Sequence, residues 1–312
     1  MFYLLILLIL IAIIIGISYY AFRLTFLAPE HLDETHYFVP ESDQFDAVHE
    51  GIKKSVSRMV ARPYETITIT SFDGSKLSAR YYHVADDAPV HIMFHGYKSS
   101  CILDCSGVSY FAKQLGHNAI VVDQRSHGKS EGNVISFGIK ERKDCLAWIQ
   151  YAIKRFGDEV PIMLFGLSMG AATVLMVNDL GLPKNVKGIL ADCPYSSPKE
   201  IIMKVAKEMH CPPHIMLPFV WIAGRLFGGF NLFESSAIDA IKTSEIPILI
   251  LHGDNDELVP HSMSQRMLAS GAKNISLELF EGAGHGLSYI IHPEQYEQTA
   301  VAFIKNCLDK TM

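Results

Sequence analysis

The stretch that decides the fold is "VPIMLFGLSMGAATVLM", residues Val160 to Met176. An apolar run ends at Gly166, Ser168 stands between two glycines, and a run of small, helix-favouring residues follows. The pattern Gly-x-Ser-x-Gly between a strand and a helix is typical of a sharp turn that lifts a serine hydroxyl above a sheet. Five residues alone match often by chance, so the rest of the chain must supply partners for Ser168.

Length and composition describe a chain with a large core. It has 312 residues, of which 49% are hydrophobic, enough for one large α/β domain or two small ones. Its formal net charge is −6, and acidic and basic side chains are mixed along it without a basic stripe. We therefore expect no nucleic-acid partner. Six scattered cysteines without a CxxC pair favour free, buried thiols.

The first residues are apolar enough to cross a bilayer. Residues 1–17, "MFYLLILLILIAIIIGI", carry no charge, and Tyr19, Tyr20 and Arg23 follow as an aromatic and cationic flank. The basic start, short apolar core and small-residue cut site of a cleaved signal peptide are not clear here. We expect a single-pass transmembrane anchor over residues 1–22 and location at the cell membrane. Arg23 favours a cytoplasmic domain only weakly, which leaves the side of the membrane open.

The remainder of the chain divides into a polar segment and a domain with strand and helix patterns. Residues 23–61 predict a juxtamembrane linker with a helical stretch from about Phe45 to Met59. In residues 62–312, a β-hairpin precedes apolar runs that alternate with helical stretches, which predicts a mostly parallel sheet covered on both faces. More than fifty residues separate Asp192 from Ile246, too many for a simple crossover. An inserted helical cap is therefore expected at about 195–245.

Two later segments offer the groups that a nucleophilic serine needs. A serine hydroxyl requires a general base, the base requires an orienting carboxylate, and in this architecture they follow in the order Ser, acid, His. The strand "IPILILHG" is followed by "DNDELVP", with Asp254, Asp256 and Glu257, and the strand "ISLELF" is followed by "EGAGHG", with His285. Because both groups follow the expected strands, we predict that Ser168 is the nucleophile, His285 the base and one of these carboxylates the acid.

Backbone N–H groups are expected to stabilise the oxyanion. Met169 opens the helix after Ser168, so its N–H points toward negative charge near the serine. The loop "FHGYKSS" follows an earlier strand, and its Gly96 allows a tight turn that frees the N–H of Tyr97. We predict an oxyanion hole formed by the N–H groups of Tyr97 and Met169, and a structural role for His95.

These motifs resemble the α/β-hydrolase superfamily over roughly Tyr64 to Leu308. The phrases "FHGYKSS", "VVDQRSHGKSEG", "GLSMGAA", "ILADCPY", "LHGDNDELVP" and "GAGHG" stand in the superfamily's order. They are most similar to bacterial membrane-anchored or secreted members grouped with serine aminopeptidase-like and acylglycerol-lipase-like hydrolases. The resemblance implies the α/β-hydrolase fold with a cap, and it implies that the acid is the aspartate of D-x-x-V-P, Asp256. Ser126 departs from the pattern, since glycine is usual there.

The predicted function is a membrane-tethered serine hydrolase that acts on a carboxylic ester or related acyl bond of a small molecule. No metal or organic cofactor is implied. The apolar residues of the cap favour an acyl or aromatic group on the substrate, although they could equally form the cap's own core. One alternative is an aminopeptidase-like serine peptidase, which would need a carboxylate such as Glu200 or Glu208 to hold the substrate amine. Another is a non-catalytic, membrane-attached binding protein, and the sequence leaves the oligomeric state open.

Overall fold

An eight-stranded sheet forms the centre of the chain, which the computed structural model describes over residues 1–28, 43–46 and 48–309. The strands are β1 (Glu65–Thr70), β2 (Lys76–Tyr82), β3 (Val90–Phe94), β4 (Asn118–Asp123), β5 (Ile162–Leu167), β6 (Val186–Asp192), β7 (Ile248–Gly253) and β8 (Ile275–Phe280). Their order in the sheet is β1-β2-β4-β3-β5-β6-β7-β8. The strand β2 is antiparallel to both of its neighbours, whereas every pair from β4 to β8 is parallel.

Helices connect the strands and cover the sheet. They are α1 (Phe2–Thr25), α2 (Asp43–Asp46), α3 (His49–Val60), α4 (Cys101–Gln114), α5 (Glu141–Phe156), α6 (Met169–Met176), α7 (Pro198–Glu208), α8 (Pro213–Ala223), α9 (Ala237–Ala240), α10 (Ser262–Leu268), α11 (Ser288–Ile291) and α12 (Pro293–Asp309). Short 3₁₀ segments follow α6 and α9, and a π-helical turn, Gly224–Gly228, follows α8. The segment between β6 and β7 is therefore a helical insertion, as the sequence predicts.

Both faces of the sheet are buried, each in its own hydrophobic cluster. Because successive side chains of a strand point to opposite faces, Ile92 and Phe94 of β3 join one cluster while Met93 joins the other. The strand β5 divides in the same way, with Leu164 on the first face and Phe165 on the second. This explains the continuously apolar strands of the sequence and confirms the predicted mostly parallel sheet with helices on both faces.

The last turn of α1 belongs to the core of the domain. Phe22 is 6% exposed and Phe26 is fully buried, whereas residues 2–17 are exposed along their whole length. The carbonyl of Phe26 accepts a hydrogen bond of 2.8 Å from the N–H of Ile135. The helix therefore extends beyond the predicted boundary at residue 22, and its C-terminal end packs on the domain.

The helix α3 also packs on the domain. Its buried residues Ile52, Val56 and Met59 recur at helical spacing and join the same cluster as α4, against which α3 lies. Although the sequence assigns them to the predicted linker, their apolar stripe makes them a further layer of the fold. Residues 29–42 and residue 47 of that predicted linker lie outside the described residues.

Substitution of Phe26 is expected to destabilise the whole domain. Phe26→Ala in the full chain should lower the free energy of unfolding by about 3–5 kcal/mol, because it leaves a cavity in the core. Denaturant-induced unfolding in detergent micelles measures the change. Tyr20→Ala is the matched control, since Tyr20 lies in α1 six residues before Phe26 but is 64% exposed. Equal effects of the two substitutions would contradict the packing of α1 into the domain.

Candidate active site

Ser168 lies at the tip of a strained turn between β5 and α6. Its φ and ψ are 54° and −114°, a region that residues with a side chain rarely adopt. A Cβ at Gly166 would lie 2.2 Å from the carbonyl oxygen of Gly170, and a Cβ at Gly170 would lie 2.1 Å from that of Phe94. Both glycines are thus steric requirements of the turn, which matches the geometry of a nucleophile elbow.

His285 links Ser168 to Asp256. Its Nε2 lies 2.9 Å from the Ser168 Oγ, and its Nδ1 lies 2.7 Å from the Asp256 Oδ2. In the matching tautomer, Nδ1–H donates to the carboxylate and Nε2 accepts the serine proton. The three residues come from the loops after β5, β7 and β8, so the parallel strands bring them to one edge of the sheet.

The structure distinguishes the two candidate aspartates. Asp254 accepts a hydrogen bond of 2.7 Å from the N–H of Gly282 and stabilises the turn after β8. Asp256 reaches His285, and its other oxygen accepts hydrogen bonds from the N–H groups of Leu258 and Val259 at 3.0 and 2.8 Å. These bonds fix the carboxylate of Asp256 next to His285. Asp254 instead has a structural role in the turn after β8.

A second histidine, His252 at the end of β7, also contacts Asp256. Its Nε2 lies 2.8 Å from the carbonyl oxygen of Val259 and 3.2 Å from the Asp256 Oδ2, while its Nδ1 lies 2.7 Å from the Ser264 Oγ. Burial alone would raise the pKa of Asp256, but hydrogen bonds from His252 and His285 hold it below its ordinary value. Sequence reasoning missed His252, although a histidine in the apolar strand "ILILHG" was a signal for it.

The loop after β3 lies directly against Ser168. The N–H of Gly96 donates to the Asp104 Oδ2 at 2.6 Å, and a Cβ at Gly96 would lie only 3.4 Å from the Ser168 Cβ. The N–H groups of Tyr97 and Met169 have no acceptor among the described residues, so both can bind a developing oxyanion. The Tyr97 hydroxyl donates to the carbonyl of Thr25 at 2.9 Å and so joins this loop to the end of α1.

Two histidines behind this loop have structural contacts. His95 uses both ring nitrogens, since Nδ1 donates to the Gly96 carbonyl at 2.8 Å and Nε2 accepts from the Gln124 N–H at 3.1 Å. The Nε2 of His127 accepts from the N–H of Lys98 at 3.1 Å. Ser126 beside it has a φ of 67°, the conformation for which glycine is usual, and its Oγ donates to the Val134 carbonyl at 2.9 Å.

A cavity of about 390 Å³ opens at Ser168 and His285, a size typical of small-molecule sites. Its wall is mostly apolar. The lining side chains away from the serine include Phe45, Ile52, Leu103, Val108, Leu287 and Ile290. They come from α2, α3, α4 and the segment around α11, and no residue of the insertion is among the described residues that line it. Of the two interpretations of the cap's apolar residues, packing within the protein therefore fits this cavity better than substrate contact, and the insertion packs on α1.

Asp192 and Cys193 follow each other at the end of β6, next to the triad, and raise the question of whether this site could bind a metal ion. Burial raises the pKa of Asp192 to about 6, although the Tyr296 hydroxyl donates to its Oδ2 at 3.0 Å. Cys193, Asp256 and His285 place their possible ligand atoms within 4.8 Å of one another. Burial raises the pKa of the Cys193 thiol well above its ordinary range, which disfavours the thiolate that a metal requires. This donor set suits the hydrogen-bonded chain better than a metal ion.

Comparison with known proteins identifies relatives of this fold. The chain is 27% identical to the YqkD protein of Bacillus subtilis (strain 168) over 233 residues, 74% of this chain and 76% of the relative. It is 25% identical to the lysophosphatidylserine lipase ABHD12 of Danio rerio over 190 residues, 56% of this chain and 44% of that protein. The structure of the Pyrococcus furiosus esterase Pf2001 superposes with a TM-score of 0.68 and 23% identity, covering 90% of this chain and 98% of that one.

These similarities confirm the predicted α/β-hydrolase fold. The sequence also matches the Hydrolase_4 family, described as serine aminopeptidase, S33, over residues 86–244. The matched region includes the elbow at Ser168 and most of the helical insertion. The chain belongs to this serine aminopeptidase S33 family of α/β hydrolases.

Proposed function

We propose that the chain is a serine hydrolase that cleaves a carboxylic ester or related acyl bond through an acyl-enzyme. The observation that supports this most directly is the chain of hydrogen bonds from Ser168 through His285 to Asp256, at 2.9 and 2.7 Å. A serine in a strained turn beside an oriented imidazole is the arrangement that nucleophilic acyl transfer requires. The substrate is then a small molecule with an acyl group.

The reaction follows from these contacts. The Ser168 Oγ attacks the carbonyl carbon while the Nε2 of His285 takes the hydroxyl proton. The carboxylate of Asp256 stabilises the imidazolium, and the N–H groups of Tyr97 and Met169 bind the oxyanion. When the tetrahedral intermediate collapses, His285 donates its proton to the leaving alcohol. Water then attacks the acyl-enzyme with His285 as base, which releases the acid and regenerates the serine.

The cavity supports an acyl chain as the group next to the scissile carbonyl. Its apolar wall extends from Ser168 toward Ile52 of α3 and Ile290 of α11. Burial of a hydrocarbon chain there gains roughly 0.8 kcal/mol per methylene group. The similarity to a lysophosphatidylserine lipase and to an esterase is consistent with ester chemistry. We therefore infer esters of apolar carboxylic acids as the substrate class.

Aminopeptidase activity is the second candidate, because the family description names it. Glu200 and Glu208 are the carboxylates that the sequence predicts could hold the substrate amine, but both have other partners. Glu200 pairs with Arg266 and accepts a hydrogen bond from Ser196, and Glu208 pairs with Lys204 at 2.6 Å. Neither glutamate lines the cavity at Ser168, which favours the ester. Turnover of p-nitrophenyl esters against aminoacyl-arylamides by the purified full chain separates the two activities.

The helix α1 supports a membrane anchor as the means of attachment. An 18-residue window of it has a mean hydropathy of 2.8 and is only 6% buried. A signal sequence would have the same composition, but the packing of Phe22 and Phe26 in the core favours retention of the helix. We propose a single-pass anchor that ends inside the catalytic domain.

The two aspartates provide a matched test of the triad. Asp256→Asn should lower kcat for p-nitrophenyl butyrate by roughly 10³- to 10⁴-fold, because the imidazole loses its orienting carboxylate. Asp254→Asn, two residues away, should leave kcat within about 2-fold, since turn residues outside a triad do not touch the transition state. Circular dichroism verifies that both variants fold. Comparable losses in the two variants would contradict the assignment of the acid.

Narrowing of the cavity is expected to shorten the acyl chain that the enzyme prefers. Ile52→Trp should lower kcat/KM for p-nitrophenyl laurate by roughly 10-fold or more, because the larger ring occupies space next to the chain. Hydrolysis of p-nitrophenyl acetate should stay near the wild-type rate. Val60→Trp is the control on the same helix, where Val60 is 52% exposed. An unchanged chain-length profile in Ile52→Trp would exclude this cavity as the acyl site.

A further inference from the structure

The insertion carries an exposed apolar surface. Large apolar side chains lie on it with exposures between 39% and 63%; they are Met209, Ile215, Trp221, Leu226 and Phe233, together called the insertion surface. Single exposed apolar residues are normal on a protein, but several large ones within one inserted segment point to a site of interaction. The surface belongs to the segment that does not line the cavity, so substrate contact does not explain it.

The helix α8 of the insertion is apolar apart from the exposed imidazole of His214. Its sequence, "PHIMLPFVWIA", contains no side chain with a permanent charge, and only Val220 and Ala223 are buried. A helix that is apolar all round belongs in a protein core or in lipid. With 11 residues it is about 16 Å long, too short to cross the roughly 30 Å of a bilayer's hydrocarbon region.

The insertion packs against the proposed membrane anchor. The helix α8 packs against α1, whose buried side is formed by Ser18, Ala21 and Phe22 near its C-terminal end. The ring of Phe227, after α8, lies 5.2 Å from the ring of Tyr19 and 5.7 Å from that of Phe22. The insertion therefore lies beside the C-terminal end of the proposed anchor, next to its exposed apolar segment.

Exposed cations stand at the same end of α1. Arg23 follows the tyrosines of α1, and Arg225 follows α8 in the π-helical turn. Aromatic and cationic side chains together are typical of the headgroup region of a membrane, where the rings meet the acyl boundary and the cations meet phosphate. The charge and the apolar area thus fit one occupant, a phospholipid bilayer.

We propose that the insertion surface is seated in the interface of the same bilayer that holds α1. The inference rests on the proposed anchor and is independent of the ester chemistry. This contact adds to that of α1, so that the catalytic domain lies against the lipid and is not attached through α1 alone. Apolar esters dissolved in the membrane are then held close to the protein.

The two tryptophans of the chain make the proposal directly measurable. Trp148 is fully buried in the core, whereas Trp221 lies on the insertion surface with 39% exposure. We expect phosphatidylcholine vesicles that contain 6,7-dibromo-phosphatidylcholine to quench part of the tryptophan emission of the reconstituted full chain. Trp221→Phe should abolish that quenching, because Trp148 cannot contact lipid. Leu226→Glu should reduce it, because a carboxylate disfavours insertion of the surface.

Two further measurements distinguish failure of this proposal from failure of the anchor or of the catalytic proposal. They are flotation of the chain with the same vesicles and hydrolysis of water-soluble p-nitrophenyl acetate. If the chain floats but its emission is unquenched, or if Trp221→Phe is quenched equally, the surface does not contact lipid and the proposal is overturned while the anchor stands. Binding of a protein to the insertion surface would also overturn the proposal. In that case Trp221 would remain unquenched, and the Leu226→Cys variant would form cross-linked dimers. If the chain does not float, anchor and proposal fail together. The soluble ester reports the catalytic proposal separately in every case.

Discussion

The backbone conformation of Ser168 is the constraint on which the rest of the site depends. Its φ of 54° stands in a turn where Gly166 and Gly170 bring backbones within distances that a Cβ would forbid. The same close approach presses the loop after β3 against the elbow, with Gly96 beside the Ser168 Cβ. The strained turn thus sets where the hydroxyl lies relative to His285 and to the loop that carries the proposed oxyanion donor, Tyr97.

The N-terminal region is physically part of this arrangement. Thr25, in the last turn of α1, accepts a hydrogen bond from the hydroxyl of Tyr97, whose N–H is the proposed oxyanion donor. The helix α3 contributes Ile52 to the cavity wall. The proposed anchor, acyl cavity and oxyanion hole therefore involve neighbouring residues. Residues 18–28 and 48–60 pack on the domain that the sequence predicts to begin at residue 62.

Much of the fold could be predicted from the sequence because apolar period and turn chemistry are local signals. The order of serine, acid and histidine after successive strands also indicated which residues could meet, whereas Asp254 and Asp256 differed only through a family resemblance. Their separation by hydrogen bonds to Gly282 and His285 depends on the loop's path in space. The contact of His252 with Asp256, the cavity wall from α3 and the packing of the insertion on α1 arise between distant segments, where periodicity carries no information.

The central claim is that Ser168 is an activated nucleophile, and covalent labelling with a fluorophosphonate tests it most directly. Intact mass and peptide mapping of the full chain should locate one phosphonyl group on Ser168, because His285 removes its proton during attack. Ser168→Ala should remain unlabelled, and His285→Ala should react far more slowly. An unlabelled wild type, as expected of a binding protein without catalysis, or equal labelling of Ser168→Ala would contradict the claim.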